Sequence, residues 1–426
     1  MPSTNPPSKT SASRTKDKST TNVKTTTSPI PGSFIRPLIV LVSLYAAVWI
    51  RLQAVRTYGK VIHEFDPWFN YRATKYLVDN GWQKFSNWYD YESWYPLGRP
   101  VGHTIYPGLM VTAAKIYEYL PSFGYNDVSL NDVCVYIPAG FAIITILATY
   151  GLTYEVTNGS WTASTIACYV MAIIPAHLMR SVAGGYDNES VAVAAIVVTF
   201  YLWVRSLRSV YLSWFYGSLC GLTYVYLVSS WGAYIFVLNM IGVHVGILSI
   251  LMNRFSFRLY FSYSCFYVIG TYGALQFPTV GLQPLQSMEQ MGPLLVFGIL
   301  QIFAISEIYS NVTQAAMNKR FWSRWILLIS VGLVLAVLIP MYLPANFLGK
   351  YNQKAKERAC IAYMESNCSF DFYSFSLLQT CFIGIVTIFF ILKHPNKSFF
   401  NVYKYIWTFF TSHYYTLIVK YTFFHF

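Results

Sequence analysis

Acidic side chains are scarce in this sequence, with 17 Asp and Glu among 426 residues. Two of them fall a single residue apart at Glu64-Phe65-Asp66, in HEFDPWFNYR, and again at Asp187-Asn188-Glu189, in RSVAGGYDNES. A lone acid, Glu365, sits in ACIAYMESNCSFDF. Carboxylates at that spacing can converge on one hard cation, because Mg²⁺ and Mn²⁺ prefer carboxylate oxygen. The plainer reading is that these acids mark the polar ends of membrane spans. Arg180 precedes Asp187 by one short turn of chain. A guanidinium there can pair with a carboxylate or bind a diphosphate; the alternative is an arginine snorkelling to a membrane interface.

Other chemistries find less support. His63 and His103 have no Cys or His partners at metal-ligand spacing, so no zinc site is expected. No glycine-rich loop of the P-loop or dinucleotide type is present, which leaves ATP- or NAD-driven activity unsupported. The segment SNWYDYESWYPLGRPVGHTIYPG crowds Trp and Tyr among Pro and Gly turns. Such side chains favour membrane interfaces, and they also suit sugar and peptide surfaces.

The elements that would carry these groups are membrane helices. The chain is 55% hydrophobic and 11% charged, against roughly 25% charged residues in a soluble domain. It offers about ten or eleven apolar stretches near the ~20 residues a span requires, beginning near Phe34, Val133, Trp161, Val191, Tyr211, Trp231, Leu259, Pro293, Trp325, Phe372 and Phe399. Nothing shows the alternation of a membrane barrel, so the fold class is all-α, a polytopic transmembrane bundle. A large polar and aromatic loop from about Val55 to Asp132 follows the first span, with one interfacial helix expected over Ile105–Leu120.

Charge orients this bundle. Residues 1–33 form a basic Ser/Thr/Pro-rich tail, expected to be disordered and cytoplasmic. With that tail inside, Arg205/Arg208, Arg254/Arg258, Lys319/Arg320/Arg324 and Lys393/Lys397 all fall on the cytoplasmic side, as the positive-inside rule asks. Lys350, Lys354, Lys356 and Arg358 fall opposite, as do Arg56 and Lys60, with all three acidic groups. The membrane domain is expected over residues 34–395, and residues 396–426 form a Phe/Tyr-rich tail apolar enough for one further crossing. The net charge of +13 forms no continuous stripe, so no nucleic-acid partner is expected. Cys134, Cys168, Cys220, Cys265 and Cys381 lie in apolar runs as small buried hydrophobes, while Cys360 and Cys368 share one loop as a disulfide or as two thiols.

HEFDPWFNYRATKYL, WYPLGRPVG, RSVAGGYDNESVAV and SSWGAYIFVLNMIGVHVGIL closely resemble the catalytic subunit of the eukaryotic oligosaccharyltransferase, over about Ile35 to Ile305. The resemblance implies a membrane domain of the GT-C glycosyltransferase type. It also implies transfer of an oligosaccharide from dolichyl diphosphate to Asn in Asn-X-Ser/Thr, at the lumenal face of the endoplasmic reticulum membrane and beside accessory subunits. On the matched positions it makes Asp66 the first acidic motif, binding the divalent cation beside the acceptor asparagine. Asp187 and Glu189 become further metal ligands, and Arg180 the arginine near the reacting diphosphate. Glu365 matches the loop acid that contacts the acceptor, although the family's flanking serines are missing. The family's Trp-Trp-Asp-Tyr-Gly motif, which reads the acceptor hydroxyl, is absent from these residues. Two rivals therefore stay open: a non-catalytic scaffold of the same fold, and a lipid-linked-sugar transferase with another acceptor.

Overall fold

The structure, a computed structural model, describes residues 32–312 and the isolated positions 325, 326, 328, 329 and 332. Glu365, the Cys360–Cys368 pair, the basic tail and the spans expected near Phe372 and Phe399 lie outside the described residues. The described elements are helical: α1 (Gly32–Arg51), α2 (Gln53–Tyr58), α3 (Phe65–Ser86), α4 (Val101–Thr104), α5 (Gly108–Tyr119), α6 (Leu130–Val156) and α7 (Trp161–Ile173). They continue as α8 (Pro175–Met179), α9 (Asn188–Arg208), α10 (Ser213–Ser230), α11 (Tyr234–Gly246), α12 (Phe257–Leu275), α13 (Gln283–Gln286) and α14 (Met291–Val312).

Local chemistry sets many of these boundaries. Ser129, Ser160 and Ser256 cap α6, α7 and α12 by accepting the N–H of Asp132, Ala163 and Leu259. Each satisfies one of the donors that a helix start leaves unpaired. Pro175 forces Ile174 into extended backbone, and that ends α7 and starts α8 at a new angle.

Each of the eight spans expected within the described region corresponds to a helix. Five segments are long and apolar enough to cross a membrane: Pro37–Tyr58, Leu130–Val156, Asn188–Arg208, Tyr234–Leu251 and Met291–Tyr309. Trp161–Ile173 is apolar but shorter, because the Ile174-Pro175 break interrupts it. In the stretch after the first span, where the sequence predicts a loop, the structure has helix α3, kinked at Gly81. The interfacial helix expected there begins at Gly108.

The bundle closes around α10, which packs between α9 and α12, while α6 bridges α9 and α7, and α7 rests on α1. At Gly217 a Cβ would meet the Ser262 carbonyl oxygen at 2.6 Å, so α10 and α12 touch through backbone there. The main core gathers Trp203, Tyr224, Tyr234, Tyr263 and Phe266. A second core, around Leu77, Phe85, Leu109, Met110, Val133 and Tyr186, roots α3 and α5 on the ends of α6 and α9. Cys134, Cys168 and Cys220 are buried as small hydrophobes, and Cys265 is half-buried.

Candidate functional site

Two segments bring the acids together. The first runs from the end of α2 into α3. Helix α3 begins at Phe65 with Pro67 in its first turn, and Asp66 lies exposed in that same turn, where a helix start favours negative charge. The second leads from α8 to α9: Arg180 ends α8, Ser181–Tyr186 turn, and Asp187 caps α9 by accepting the Asn188 N–H at 2.6 Å.

Their docking is specific. The His63 N–H donates to the Gly184 carbonyl at 3.0 Å, and the Gly184 N–H donates to the Val135 carbonyl at 3.0 Å. Tyr186 is fully buried, with its hydroxyl 2.9 Å from Thr74 Oγ1. Asn70, one helical turn beyond Asp66 and buried, donates to the Tyr186 carbonyl at 3.2 Å and to Asp187 Oδ1 at 3.4 Å. Thus α3 holds the residue before Asp187 and one of its carboxylate oxygens. Arg180 Nε meets Glu189 Oε2 at 2.9 Å, both side chains partly exposed.

These charges lie within electrostatic reach of one another. Burial raises the proton affinity of Asp187 above the ordinary carboxylate range; the Asn188 N–H and Arg180 oppose that shift, while Asp66 and Glu64 reinforce it. Glu64, Asp66, Asp187 and Arg180 all lie within electrostatic reach of Glu189. Asp66 also reaches Arg99, whose guanidinium stands 4.8 Å from the Phe69 ring and 4.9 Å from the Trp94 ring, with Nε on Thr104 Oγ1 at 2.9 Å.

The expected site residues therefore divide plainly. Asp66, Arg180, Asp187 and Glu189 lie within electrostatic reach of one another, and Glu365 lies outside the described residues. For a divalent cation the fit lies in donor type and charge. Three carboxylates repel one another electrostatically, and between two of them Asn188 Oδ1 is buried with no hydrogen-bond partner. Among the described residues, however, no three His, Cys, Asp or Glu side chains are drawn into a closed metal-binding group. Asn70, Tyr186 and Gly184 were not singled out from the sequence. Asn70 carried a usable signal, its i+4 spacing from Asp66, visible once α3 is known to be helical.

A family model described as "Oligosaccharyl transferase STT3, N-terminal" matches residues 34–404. The Schizosaccharomyces pombe protein "Dolichyl-diphosphooligosaccharide--protein glycosyltransferase subunit stt3" is 43% identical over 309 residues, covering 72% of this chain and 40% of that protein. The stt-3 subunit of Caenorhabditis elegans is 44% identical over 294 residues, covering 69% of this chain and 38% of its own length. The chain thus spans about 40% of the length of these relatives. Among solved structures, the Archaeoglobus fulgidus oligosaccharyltransferase AglB, in complex with an inhibitory peptide and a dolichol-phosphate, shares the fold at TM-score 0.56 and 18% identity. That match covers 72% of this chain and 37% of AglB. The A. fulgidus enzyme in complex with Zn and sulfate aligns at TM-score 0.56 and 17% identity, over 87% of this chain and 45% of its own.

Proposed function

The chain belongs to the oligosaccharyl transferase STT3 family, and from that premise we propose that it carries the donor- and metal-handling half of asparagine-linked oligosaccharide transfer. The donor is an oligosaccharide on dolichyl diphosphate, and the acceptor is Asn in Asn-X-Ser/Thr. The reaction takes place at the lumenal face of the endoplasmic reticulum membrane, beside accessory subunits. The observation that supports this reading is the electrostatic proximity of Asp66 on α3 to Arg180 after α8 and to Asp187 and Glu189 at the start of α9.

The chemistry follows from what each group can hold. An amide nitrogen is a poor nucleophile because its lone pair is delocalised into the carbonyl. Asp66, exposed in the first turn of α3, accepts an N–H of the acceptor amide and favours a geometry in which that pair is localised. The bond from nitrogen to the anomeric carbon then forms as the bond from that carbon to the diphosphate oxygen breaks. The displaced amide proton passes to carboxylate or solvent. Arg180, steadied by Glu189, offers its remaining N–H groups to the departing diphosphate. Asp66, Asp187 and Glu189 would hold Mg²⁺ or Mn²⁺, which when bound neutralises charge on the leaving diphosphate. Asn70 keeps Asp187 aimed at the site, and alignment of this kind is worth orders of magnitude in rate.

The test is transfer by the purified full chain with Mn²⁺, lipid-linked oligosaccharide and an Asn-X-Thr peptide. Glycopeptide should form, and Asp66→Ala should abolish it. No product beside a competent oligosaccharyltransferase control, or full activity in Asp66→Ala, overturns the reading.

A further inference from the structure

The first span ends on an arginine that no carboxylate meets among the described residues. Arg51, the last residue of α1, is fully buried. Its Nη1 donates to the Ala47 carbonyl, one turn back in its own helix, at 3.1 Å, and to the Ala172 carbonyl near the end of α7 at 2.9 Å. Its Nε donates to Ser181 Oγ at 2.8 Å, and Ser181 Oγ donates in turn to the His177 carbonyl at 2.5 Å. The Arg51 carbonyl receives the Ala183 N–H at 3.0 Å. Nη2 is buried without a partner.

An ionisable side chain inside a membrane bundle is costly and marks a functional role by default. Here the positive charge is met by carbonyls at the C-terminal ends of two helices, where the macrodipoles present partial negative charge. Those same contacts join three pieces of chain: the end of α1, the end of α7, and the turn that follows Arg180. A lysine ammonium could offset the charge but has no fixed planar fork to reach all three in set directions.

We propose that Arg51 is a positioning residue for the acidic site, its guanidinium fixing the path of residues 172–183 so that Arg180 and Asp187 are delivered against α3. The rate consequence rests on the functional reading above; the structural consequence does not, and the experiment reads the two separately.

Arg51→Lys, Arg51→Met and Ser181→Ala are made in the full chain in detergent. Amide hydrogen exchange is followed over residues 180–190, with α10 and α12 as internal references, and transfer kinetics are measured in parallel. Ser181→Ala removes one hydroxyl and leaves the charge in place, so it remains informative if Arg51→Met does not fold. Arg51→Lys and Ser181→Ala should speed exchange over 180–190 by about tenfold or more while α10 and α12 keep wild-type protection. Where the wild-type chain transfers, kcat should fall with KM for the peptide little changed. Uniform loss of protection across the bundle, wild-type exchange over 180–190 in Ser181→Ala, or wild-type exchange and kcat in Arg51→Lys each overturns the proposal. A wild-type chain that transfers nothing defeats the functional reading and leaves the exchange result to decide Arg51.

Discussion

Replacing Gly184 with alanine puts a single methyl group where the two acid-bearing segments touch. Gly184 has φ +97°, where a non-glycine residue costs roughly 1–3 kcal/mol. The new Cβ would lie 2.5 Å from the Val61 carbonyl oxygen and 2.6 Å from His63 Cδ2. Reaching ordinary contact at 3.4 Å requires these atoms to retreat by about 0.9 Å, and such overpacking costs roughly 1–3 kcal/mol more. The combined ~2–6 kcal/mol falls for most of its range below the ~5–15 kcal/mol that holds a typical protein folded, so the chain should still fold, with a lower melting temperature. The atoms that must move belong to Val61 and His63, directly before Glu64 and Asp66. A displacement near 1 Å at a reacting centre costs about 100-fold in rate, and that is the expected fall in kcat/KM for peptide glycosylation. Gly185→Ala is the matched control, since its Cβ would meet only the Val182 carbonyl oxygen, at 3.3 Å. Paired melts and initial rates of the two variants decide the matter. Equal behaviour of Gly184→Ala and Gly185→Ala would refute the contact. A lowered melt with undiminished transfer would show that the reaction lies elsewhere.

Two further substitutions separate stability from function. Asp187→Asn keeps an N-cap for α9 and removes a carboxylate whose proton affinity is raised in the folded chain. A raised carboxylate means the folded state binds more protons than the unfolded one, so stability falls as pH rises from the unfolded pKa through the folded one. The variant should therefore melt with wild type in acid and above it near pH 7.5, while transfer is lost; a lower melt at neutral pH contradicts the burial argument. Glu155→Gln acts at the other end of α9, where the Glu155 carboxylate, 7% exposed, meets Arg205 Nη1 at 2.5 Å and Arg208 Nε at 3.4 Å. It should cost about 1–3 kcal/mol in stability and leave kcat unchanged, because the 21 residues of α9 separate it from the site by ~30 Å; a matching fall in kcat would argue against that separation.

The spans were legible because a membrane helix announces itself by an unbroken apolar run, and α1, α6, α9 and α11 coincide with such runs. Helix α3 was not, although its buried face keeps strict helical spacing. That face is Asn70, Ala73, Thr74 and Leu77, and two of the four are polar, so hydropathy shows no stripe. The same polarity is why α3 matters. Asn70 and Thr74 spend their hydrogen bonds on Asp187 and Tyr186, more than a hundred residues away. A pairing across that distance leaves no local signature in either segment. The acids themselves were legible from their spacing, but the turn that delivers them depends on Gly184 and Arg51, which look like an ordinary loop glycine and a span-end arginine.

The two ends of the bundle treat their arginines differently, and the difference bears on what the acids are free to do. Away from the site, Arg205 and Arg208 share one buried carboxylate, Glu155, and lock α9 to α6. At the site end Arg51 is satisfied by Ala47, Ala172 and Ser181 oxygens instead. Carbonyl ligation positions the loop without consuming an acid. Of Glu64, Asp66, Asp187 and Glu189, only Glu189 has an ion-pair partner among the described residues, and that partner is the partly exposed Arg180. Under the proposed function, a diphosphate would compete with Glu189 for Arg180, and Glu189 would then be free to help hold the metal. One arginine is thus fully buried among helix ends, and the other is left partly exposed beside a carboxylate.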